Sequence, residues 1–178
     1  EIASEYRYRD PIINNNTLVI AISQSGETMD TLMALRHAKA AGARVLAICN
    51  TNSSTIPRES DAVIYTHAGP EIAVASTKAL LTQIVAVYLI GLHLAQVRSE
   101  LTDDQVADLY NEMLELPGKI EQILETVEPL RALTRSFAEN NIVLFLGRNI
   151  GYPVALEGAL KLKELAYIHA EGFAGGEL

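Results

Sequence analysis

Hydroxyl side chains and a glycine lie close together in residues 23–28, which have the sequence SQSGET. Ser23, Ser25 and Thr28 can each donate a hydrogen bond to an anionic oxygen, and Gly26 allows the backbone to approach a ligand closely. An apolar run precedes this segment, and a segment with helical periodicity follows it. A strand, a polar turn and a helix start present backbone N–H groups and a positive helix end to an anion. The pattern therefore favours a site for a phosphate monoester.

Helix capping is the simpler interpretation of the same hydroxyls. Ser or Thr before a helix is usually an N-cap, and Glu27 and Asp30 would complement the helix dipole. These carboxylates would repel a phosphate if they pointed at it, although successive helical residues diverge by roughly 100°. The sequence lacks the pattern GxxxxGK[ST], which argues against a nucleotide P-loop.

A second group of charged residues lies in the segment VALEGALKLKELA that follows Pro153. On a helix, Glu157, Lys161 and Glu164 fall within a sector of about 60°, with apolar residues on both sides. One interpretation is a pair of ordinary helical ion pairs, each worth about 0.2–0.5 kcal/mol. The other is that this stripe lines a pocket, where a partly desolvated glutamate has a raised pKa and can exchange protons near neutral pH. A carboxylate base beside a lysine suits proton transfer between adjacent sugar carbons.

Other reactive side chains give weaker signals. No His, Cys, Asp or Glu cluster has metal-ligand spacing, so no metal site is predicted. His67 and His169 lie in or near predicted loops and could approach a site, whereas His37 lies on a predicted helix and is expected to be structural. Cys49 ends an apolar run and is expected to be a small buried side chain.

Composition limits the classes of partner. The net charge of −8 argues against nucleic acid, which requires a basic surface. No apolar run is expected to reach the length that spans a bilayer, so no membrane partner is predicted. The single cysteine fits a reducing compartment, and we expect a cytoplasmic protein. A start at Glu1 without Met suggests that the chain is a fragment.

Short apolar runs alternate with helical patterns along the chain, which predicts an α/β fold with a parallel sheet and helices on both faces. We expect a buried helix at 76–96, capped by Ser76 or Thr77, and a helix at 116–139 that is broken near Pro129. A polar loop is expected at 50–58. The remaining predicted helices are 29–41, 102–116 and 154–166, and the predicted strands are 17–22 and 44–49, both buried, 62–65, 141–146 and one that starts within 167–171.

Four predicted loops follow strands, at 23–28, 50–54, 66–76 and 147–152. Ligands of parallel α/β sheets bind at the carboxyl ends of strands, so these loops are expected to converge at one edge. The order strand, polar loop, helix occurs at 17–41 and again at 141–166, which suggests an internal duplication.

Three segments resemble a known family: SQSGET at 23–28, RESDAVIYTHAGPEIAVASTKA at 58–79 and ALEGALKLKELAYIHAEGFAGGEL at 155–178. They are similar to the isomerase part of the glucosamine-6-phosphate synthases, the glutamine-dependent fructose-6-phosphate amidotransferases. SQSGET alone is typical of the wider sugar isomerase (SIS) superfamily of phosphosugar-binding domains. The resemblance covers essentially the whole chain. It implies two SIS subdomains, each an αβα sandwich on a parallel sheet: 1–98 without its opening strand, a helical connection at 99–139, and only the start of the second at 140–178.

The resemblance also implies roles for individual residues. Val74, through its backbone, and Ser76 would contact the sugar of fructose 6-phosphate or glucosamine 6-phosphate. Glu164 would be the base that moves a proton between C1 and C2, and Lys161 would assist at the hydroxyl. The residues implied to hold the sugar phosphate are Ser23, Gln24, Ser25 and Thr28.

For the parent protein, the resemblance implies a homodimer without metal or organic cofactor, and a glutaminase domain with a terminal cysteine nucleophile. A ring-opening histidine would lie just past Leu178, and His169 is too early to be that residue. The chain alone is therefore expected to be unable to use glutamine and to be inactive as an isomerase.

Two alternatives remain open. A stand-alone SIS enzyme, such as a phosphosugar deaminase or deglycase, would run similar C1–C2 chemistry without a glutaminase. A sugar-phosphate sensing module would need the phosphate loop but no base, so Glu164 beside Lys161 counts against it.

Overall fold

The structure is a computed structural model that describes residues 1–136 and 140–177, with Ser136 described by its backbone only. It divides into two compact units, Glu1–Val106 and Ala107–Leu178. The predicted end of the helix at 116–139 lies partly outside the described residues. The predicted division into two subdomains and a helical connection stays a prediction.

The first unit is built on a parallel sheet in which β2 lies between β1 and β3. In the register of this sheet, Ile20 is opposite Leu46, and Leu46 is opposite Ala62. The elements in chain order are α1 (Ala3–Tyr6), β1 (Leu18–Ser23), α2 (Met29–Ala40), β2 (Arg44–Cys49), α3 (Thr55–Glu59), β3 (Ala62–Tyr65) and α4 (Lys78–Val97).

Helices cover both faces of this sheet. Alternate side chains of a strand point to opposite faces, and on β2 the buried Val45 packs with Leu35 of α2. On the other face, Ile48 packs with Ala86 and Ile90 of α4. The predicted αβα sandwich on a parallel sheet is therefore confirmed. Cys49 is buried, as expected.

The prediction of a buried strand is right for β2 and wrong for β1. The exposed fractions of Leu18, Ile20 and Ile22 are 49%, 37% and 43%. These side chains occupy the face opposite α2, and β1 is the edge strand of the described sheet, whereas α4 packs on β2. The other face of β1 carries Ala21, which is packed beneath α2.

The helix predicted at 76–96 exists as α4, but the expectation that it is buried is wrong. Its buried residues are Ala79, Ala86 and Ile90, so one stripe packs on the sheet and most of the remaining apolar surface is exposed. The large apolar residues exposed on α4 are Leu81, Ile84, Val87, Tyr88, Leu89, Leu94 and Val97.

By length and composition alone, α4 is the one helix in the described part of the chain that could cross a membrane. The expectation that no apolar run reaches that length is therefore wrong. Core helices of soluble proteins can have the same length and apolar composition, and α4 does pack on β2. The absence of a membrane partner stays a prediction.

The capping prediction for α4 is also wrong. Thr77 occupies the N-cap position of α4 without a side-chain capping bond to any described residue. The Ala79 N–H instead donates to the Glu71 carboxylate at 3.1 Å. The cap therefore comes from the preceding loop.

The second unit contains a two-stranded parallel sheet, with Ile142 opposite His169, and α8 packs on it. Gly158 of α8 lies against the Phe145 ring, so closely that an added Cβ would come within 2.9 Å of it. The elements are α5 (Asp103–Leu114), which begins in the first unit, α6 (Leu116–Leu124), α7 (Val127–Ser136), β4 (Ile142–Gly147), α8 (Gly151–Ala166) and β5 (His169–Ala174).

Several predicted element limits are corrected. The break between α6 and α7 falls at residues 125–126, and not at Pro129, because proline is tolerated in the first turn of a helix. For the same reason α8 begins at Gly151, with Pro153 in its first turn. The helices α1 and α3 were not predicted, and α3 occupies much of the expected polar loop at 50–58.

Candidate functional site

The loop at 23–28 is folded by its own hydroxyl groups. Ser23, which is only 5% exposed, accepts a hydrogen bond from the Gly26 N–H at 3.0 Å and shares one with the Thr28 hydroxyl at 3.1 Å. The half-buried Ser25 accepts one from the Glu27 N–H at 3.2 Å. Ser23 therefore lies beneath the loop, and its hydroxyl is engaged in shaping it.

The start of α2 remains open to a ligand. Thr28 occupies the N-cap position in an extended conformation, but its hydroxyl bonds to Ser23 and makes no capping bond to described residues. The Leu32 N–H donates to the Thr28 carbonyl at 2.9 Å, so the three amides before it lack the partner that a helix interior would provide. The interpretation that these hydroxyls serve only as a cap is wrong. The open amides and the positive end of α2 suit an anion.

Glu27 is turned away from this helix end. Its carboxylate accepts a hydrogen bond from the Thr55 N–H at 2.8 Å, at the start of α3. Hydrogen bonds from the hydroxyl and the N–H of Thr55 lower the pKa of Glu27. The carboxylate that could have repelled a phosphate therefore serves as a cap for a neighbouring helix.

Gly26 holds the loop against the end of β2. Its φ is +69°, and an added Cβ would overlap the Ser54 hydroxyl and lie 2.8 Å from Cys49 Sγ. The Gly26 carbonyl accepts a hydrogen bond from the Ile56 N–H at 2.9 Å. Only a residue without a side chain fits this position.

Three of the four loops predicted to converge do so within the first unit. The Gln24 carbonyl accepts hydrogen bonds from the N–H groups of Asn50 and Thr51 at 3.2 and 3.3 Å. The Asn50 side chain bonds in turn to the loop that follows β3. The fourth loop, at 147–152, belongs to the second unit, and its convergence stays a prediction.

Val74 and Ser76, the predicted sugar contacts, lie in the segment between β3 and α4. The side chain of Val74 is 89% exposed and its neighbour Ala75 is buried. Ser76 is half-buried and has a positive φ of 53°. The part played by either residue stays a prediction.

Glu157, Lys161 and Glu164 form the charged stripe predicted on α8. Lys161 Nζ lies 2.6 Å from Glu157 Oε1 and 3.6 Å from Glu164 Oε2. The side chains of Lys161 and Glu164 are 24% and 37% exposed. The flanking apolar residues are exposed as well: Val154, Leu156, Leu160 and Leu165. Within the second unit the stripe therefore lies on an apolar surface, and the ion pairs and a chemical role are both compatible with it.

The remaining reactive residues are engaged locally or exposed. The His37 ring packs edge-on against Tyr6, with centroids 6.3 Å apart, and His169 Nε2 lies 2.9 Å from Glu171 Oε1. His67 is exposed. In the part of the chain that the structure describes, no three His, Cys, Asp or Glu side chains are grouped to hold a metal ion.

Sequence analysis missed the polar residues that support the loop from below and beside it. The side chain of Asn50 bonds to the loop that follows β3, and Ser54 bonds to Thr51 in its own loop but packs against Gly26 of another, so local pattern gave no sign of these supporting roles. The available signal was position, because Asn50 directly follows β2 at the carboxyl edge of the sheet.

Comparison with known proteins identifies relatives of this chain. The SIS domain family matches residues 1–92. The glutamine–fructose-6-phosphate aminotransferase (isomerizing) of Streptomyces coelicolor is 68% identical over the whole chain, and the match covers 29% of that protein. The chain thus spans less than a third of the length of such curated relatives.

Solved structures with the same fold include the C-terminal domain of glucosamine-fructose-6-phosphate aminotransferase from Francisella tularensis. It superposes with a TM-score of 0.96 at 44% identity, over 100% of this chain and 51% of that chain. Glucosamine-6-phosphate deaminase from Thermotoga maritima superposes with a TM-score of 0.68 at 22% identity, over 98% of this chain and 51% of that chain. The latter similarity is one of fold alone.

Replacement of Gly26 by Ala should destabilise the protein more than replacement of Gly69 by Ala. Both glycines have positive φ values, +69° and +71°, but an added Cβ meets nothing within 4 Å at Gly69. The left-handed conformation alone costs an alanine about 1–2 kcal/mol, and only Gly26→Ala adds the overlap with Ser54. Urea denaturation measures both free energies of unfolding. Equal losses would show that Ser54 does not crowd this position.

The stabilising contribution of Glu27 should depend on pH. Its pKa in the folded protein lies below the ordinary value of 4.5, so the contribution is present above about pH 4.5 and is lost as the pH falls through the folded pKa. Wild type should be more stable than Glu27→Gln at pH 7, and the difference should shrink below about pH 4.5. Urea denaturation across this pH range gives the measurement. A difference that does not change with pH would contradict the capping role of the carboxylate.

Proposed function

The chain belongs to the SIS domain family, and we propose that it is the phosphosugar-binding isomerase part of a glutamine–fructose-6-phosphate aminotransferase. The observation that carries the proposal is the open start of α2, where amides and hydroxyls are placed to bind an anion and Glu27 is turned away. The 68% identity to an aminotransferase of this name supports the choice of substrate, fructose 6-phosphate, and product, glucosamine 6-phosphate.

In this proposal the phosphate is bound by neutral donors. The amides before Leu32, the hydroxyl protons of Ser25 and Thr28 and the side-chain amide of Gln24 supply hydrogen bonds to its oxygens. Ser23 acts from below by holding Gly26 and Thr28 in place. The Val74 backbone and Ser76 contact the sugar.

Glu164 is the proposed base and Lys161 its cationic partner. Lys161 makes its short contact with Glu157, whereas its distance of 3.6 Å to Glu164 is too long for a normal hydrogen bond. The Glu164 carboxylate therefore keeps lone pairs available to take a proton from C1 and return it to C2. The Lys161 ammonium donates to the sugar oxygen on which negative charge develops.

The activity of the whole protein is part of the proposal. Ammonia from glutamine would replace the C2 oxygen of fructose 6-phosphate as water leaves, and isomerisation of the imine would follow. The chain spans 29% of its relative, which leaves room for the proposed glutaminase domain. The proposed homodimer and absence of a cofactor rest on the family resemblance, and the proposed cytoplasmic location rests also on the single cysteine.

The alternatives have weaker support. A phosphosugar deaminase or deglycase has in its favour only a similarity of fold at 22% identity. A sensing module would use the loop at 23–28 but has no need of Glu164 beside Lys161.

Titration calorimetry of the full-length protein tests the phosphate site. Glucosamine 6-phosphate should bind, and unphosphorylated glucosamine should not. Ser25→Ala should weaken the binding of the phosphate ester about 3- to 30-fold, since a hydrogen bond to a charged group contributes about 1.5–3 kcal/mol in favourable cases and less when exposed. Ser4→Ala, a half-buried serine on α1 far along the chain from the loop at 23–28, is the matched control and should bind like wild type. Equal binding of glucosamine would rule out the proposed site.

Substitution of the two glutamates of the stripe tests the base. Glu164→Gln should reduce turnover by at least about 10²-fold. It should leave the affinity for glucosamine 6-phosphate near that of wild type. Glu157→Gln removes the charge of the other carboxylate paired with Lys161 but keeps an oxygen that can accept from the ammonium, so it should lower turnover much less than Glu164→Gln does. Steady-state kinetics and calorimetry on the same preparations give both readouts. Substantial turnover by Glu164→Gln would disprove the assignment.

A further inference from the structure

Asn50 is bonded to two loops at the carboxyl edge of the sheet. Its backbone N–H donates to the Gln24 carbonyl in the loop at 23–28, at 3.2 Å. Its side-chain oxygen accepts from the Thr66 hydroxyl at 3.0 Å and from the Ala68 N–H at 2.9 Å. Its side-chain nitrogen donates to the Gly69 carbonyl at 2.8 Å.

These partners fix the orientation of the Asn50 amide. A backbone N–H can only donate and a carbonyl can only accept, so the oxygen must face Ala68 and the NH₂ group must face Gly69. A flipped amide would lose both bonds. The side chain is therefore held in one arrangement by the loop that it contacts.

The loop held by Asn50 leads directly to the predicted sugar contacts. Asn50 fixes it at 66–69, and Glu71 fixes its other end through the Ala79 N–H of α4. Between these anchors lie Val74, with an exposed side chain, and the buried Ala75. Asn50, together with the bond from the Thr66 N–H to the Cys49 carbonyl, therefore sets where this segment starts relative to the phosphate loop.

We propose that Asn50 is a positioning residue that sets the sugar-contacting segment at 74–76 relative to the phosphate-binding loop at 23–28. This inference rests on the proposed function. The division of its bonds makes the proposal specific, because the tie to the phosphate loop is made by the backbone and the tie to residues 66–69 is made by the side chain. Any replacement other than proline keeps the first tie, while truncation removes the second.

Loss of the Asn50 side chain should therefore weaken recognition of the sugar more than recognition of the phosphate. Asn50→Ala leaves the Ala68 N–H and the Gly69 carbonyl without their partner, so the loop must rearrange. The affinity for glucosamine 6-phosphate should fall about tenfold or more, given three lost hydrogen bonds. The affinity for inorganic phosphate should change less than about twofold, since the bond to the Gln24 carbonyl remains.

The experiment is calorimetric titration of the full-length protein with glucosamine 6-phosphate and with inorganic phosphate. The matched control is Asn52→Ala, which truncates an exposed asparagine of the same segment that makes no side-chain hydrogen bond to the described residues. Asn52→Ala should bind both ligands like wild type. Circular dichroism and the melting temperature establish that each variant is folded.

A second pair of variants decides the question if Asn50→Ala does not fold. Thr66→Val removes one hydrogen bond to Asn50 with almost no change in shape, and Thr66→Ser keeps the hydroxyl. Thr66→Val should weaken the binding of glucosamine 6-phosphate about threefold and leave the binding of inorganic phosphate unchanged. Thr66→Ser should keep the wild-type affinity for both ligands.

The outcomes separate the two proposals. A selective loss for the sugar phosphate supports the positioning role. If wild type binds both ligands and the variants weaken both equally, or neither, the role of Asn50 is wrong and the proposed function stands. If wild type binds neither ligand, the proposed function is wrong, and the inference fails with it.

Discussion

Close packing beneath Gly26 is the constraint on which the candidate phosphate site depends. The α-carbon of Gly26 lies so near Ser54 and Cys49 that no side chain fits, and its positive φ turns the chain sharply from β1 towards α2. This turn brings the Gly26 N–H onto Ser23, which in turn engages the Thr28 hydroxyl. The Thr28 hydroxyl therefore makes no N-cap hydrogen bond to described residues, and the start of α2 stays open.

In the same region, carboxylates from one segment cap the helix of another. Glu27, which precedes α2, accepts from Thr55 at the start of α3, and Glu71, in the loop after β3, accepts from Ala79 at the start of α4. Two helices are thus capped by carboxylates from other segments, and these bonds also tie the segments together. Among α2, α3 and α4, the helix without such a carboxylate cap is α2, whose N-terminus follows the hydroxyl-rich loop. The arrangement concentrates uncompensated N–H groups at one place, which is what an anion site requires.

Much of the first unit could be predicted from the sequence, because its signals are local. The apolar run of β2, the helical period of α2 and Gly42 after it define a βαβ unit, and SQSGET marks the loop between strand and helix. Several of the errors concern contacts between distant segments. Apolar composition predicted a buried α4 without indicating which surfaces cover it, and the caps from Glu27 and Glu71 could not be read from neighbouring residues. Asn50 was missed because its partners lie 16 to 19 positions further along the chain.

The two candidate sites also differ in how far sequence pattern could resolve them. Residues 23–28 contain no Lys or Arg, so what this loop offers a phosphate is amides, hydroxyls and the helix end, whose directions only a fold defines. The stripe on α8 is the reverse case, since helical geometry alone places Glu157, Lys161 and Glu164 together. The structure adds what the pattern could not show: Lys161 Nζ lies closer to the Glu157 carboxylate than to the Glu164 carboxylate. A lysine held by Glu157 keeps its charge in place beside Glu164 without occupying its lone pairs. That asymmetry fits the proposed role of Glu164 in proton transfer.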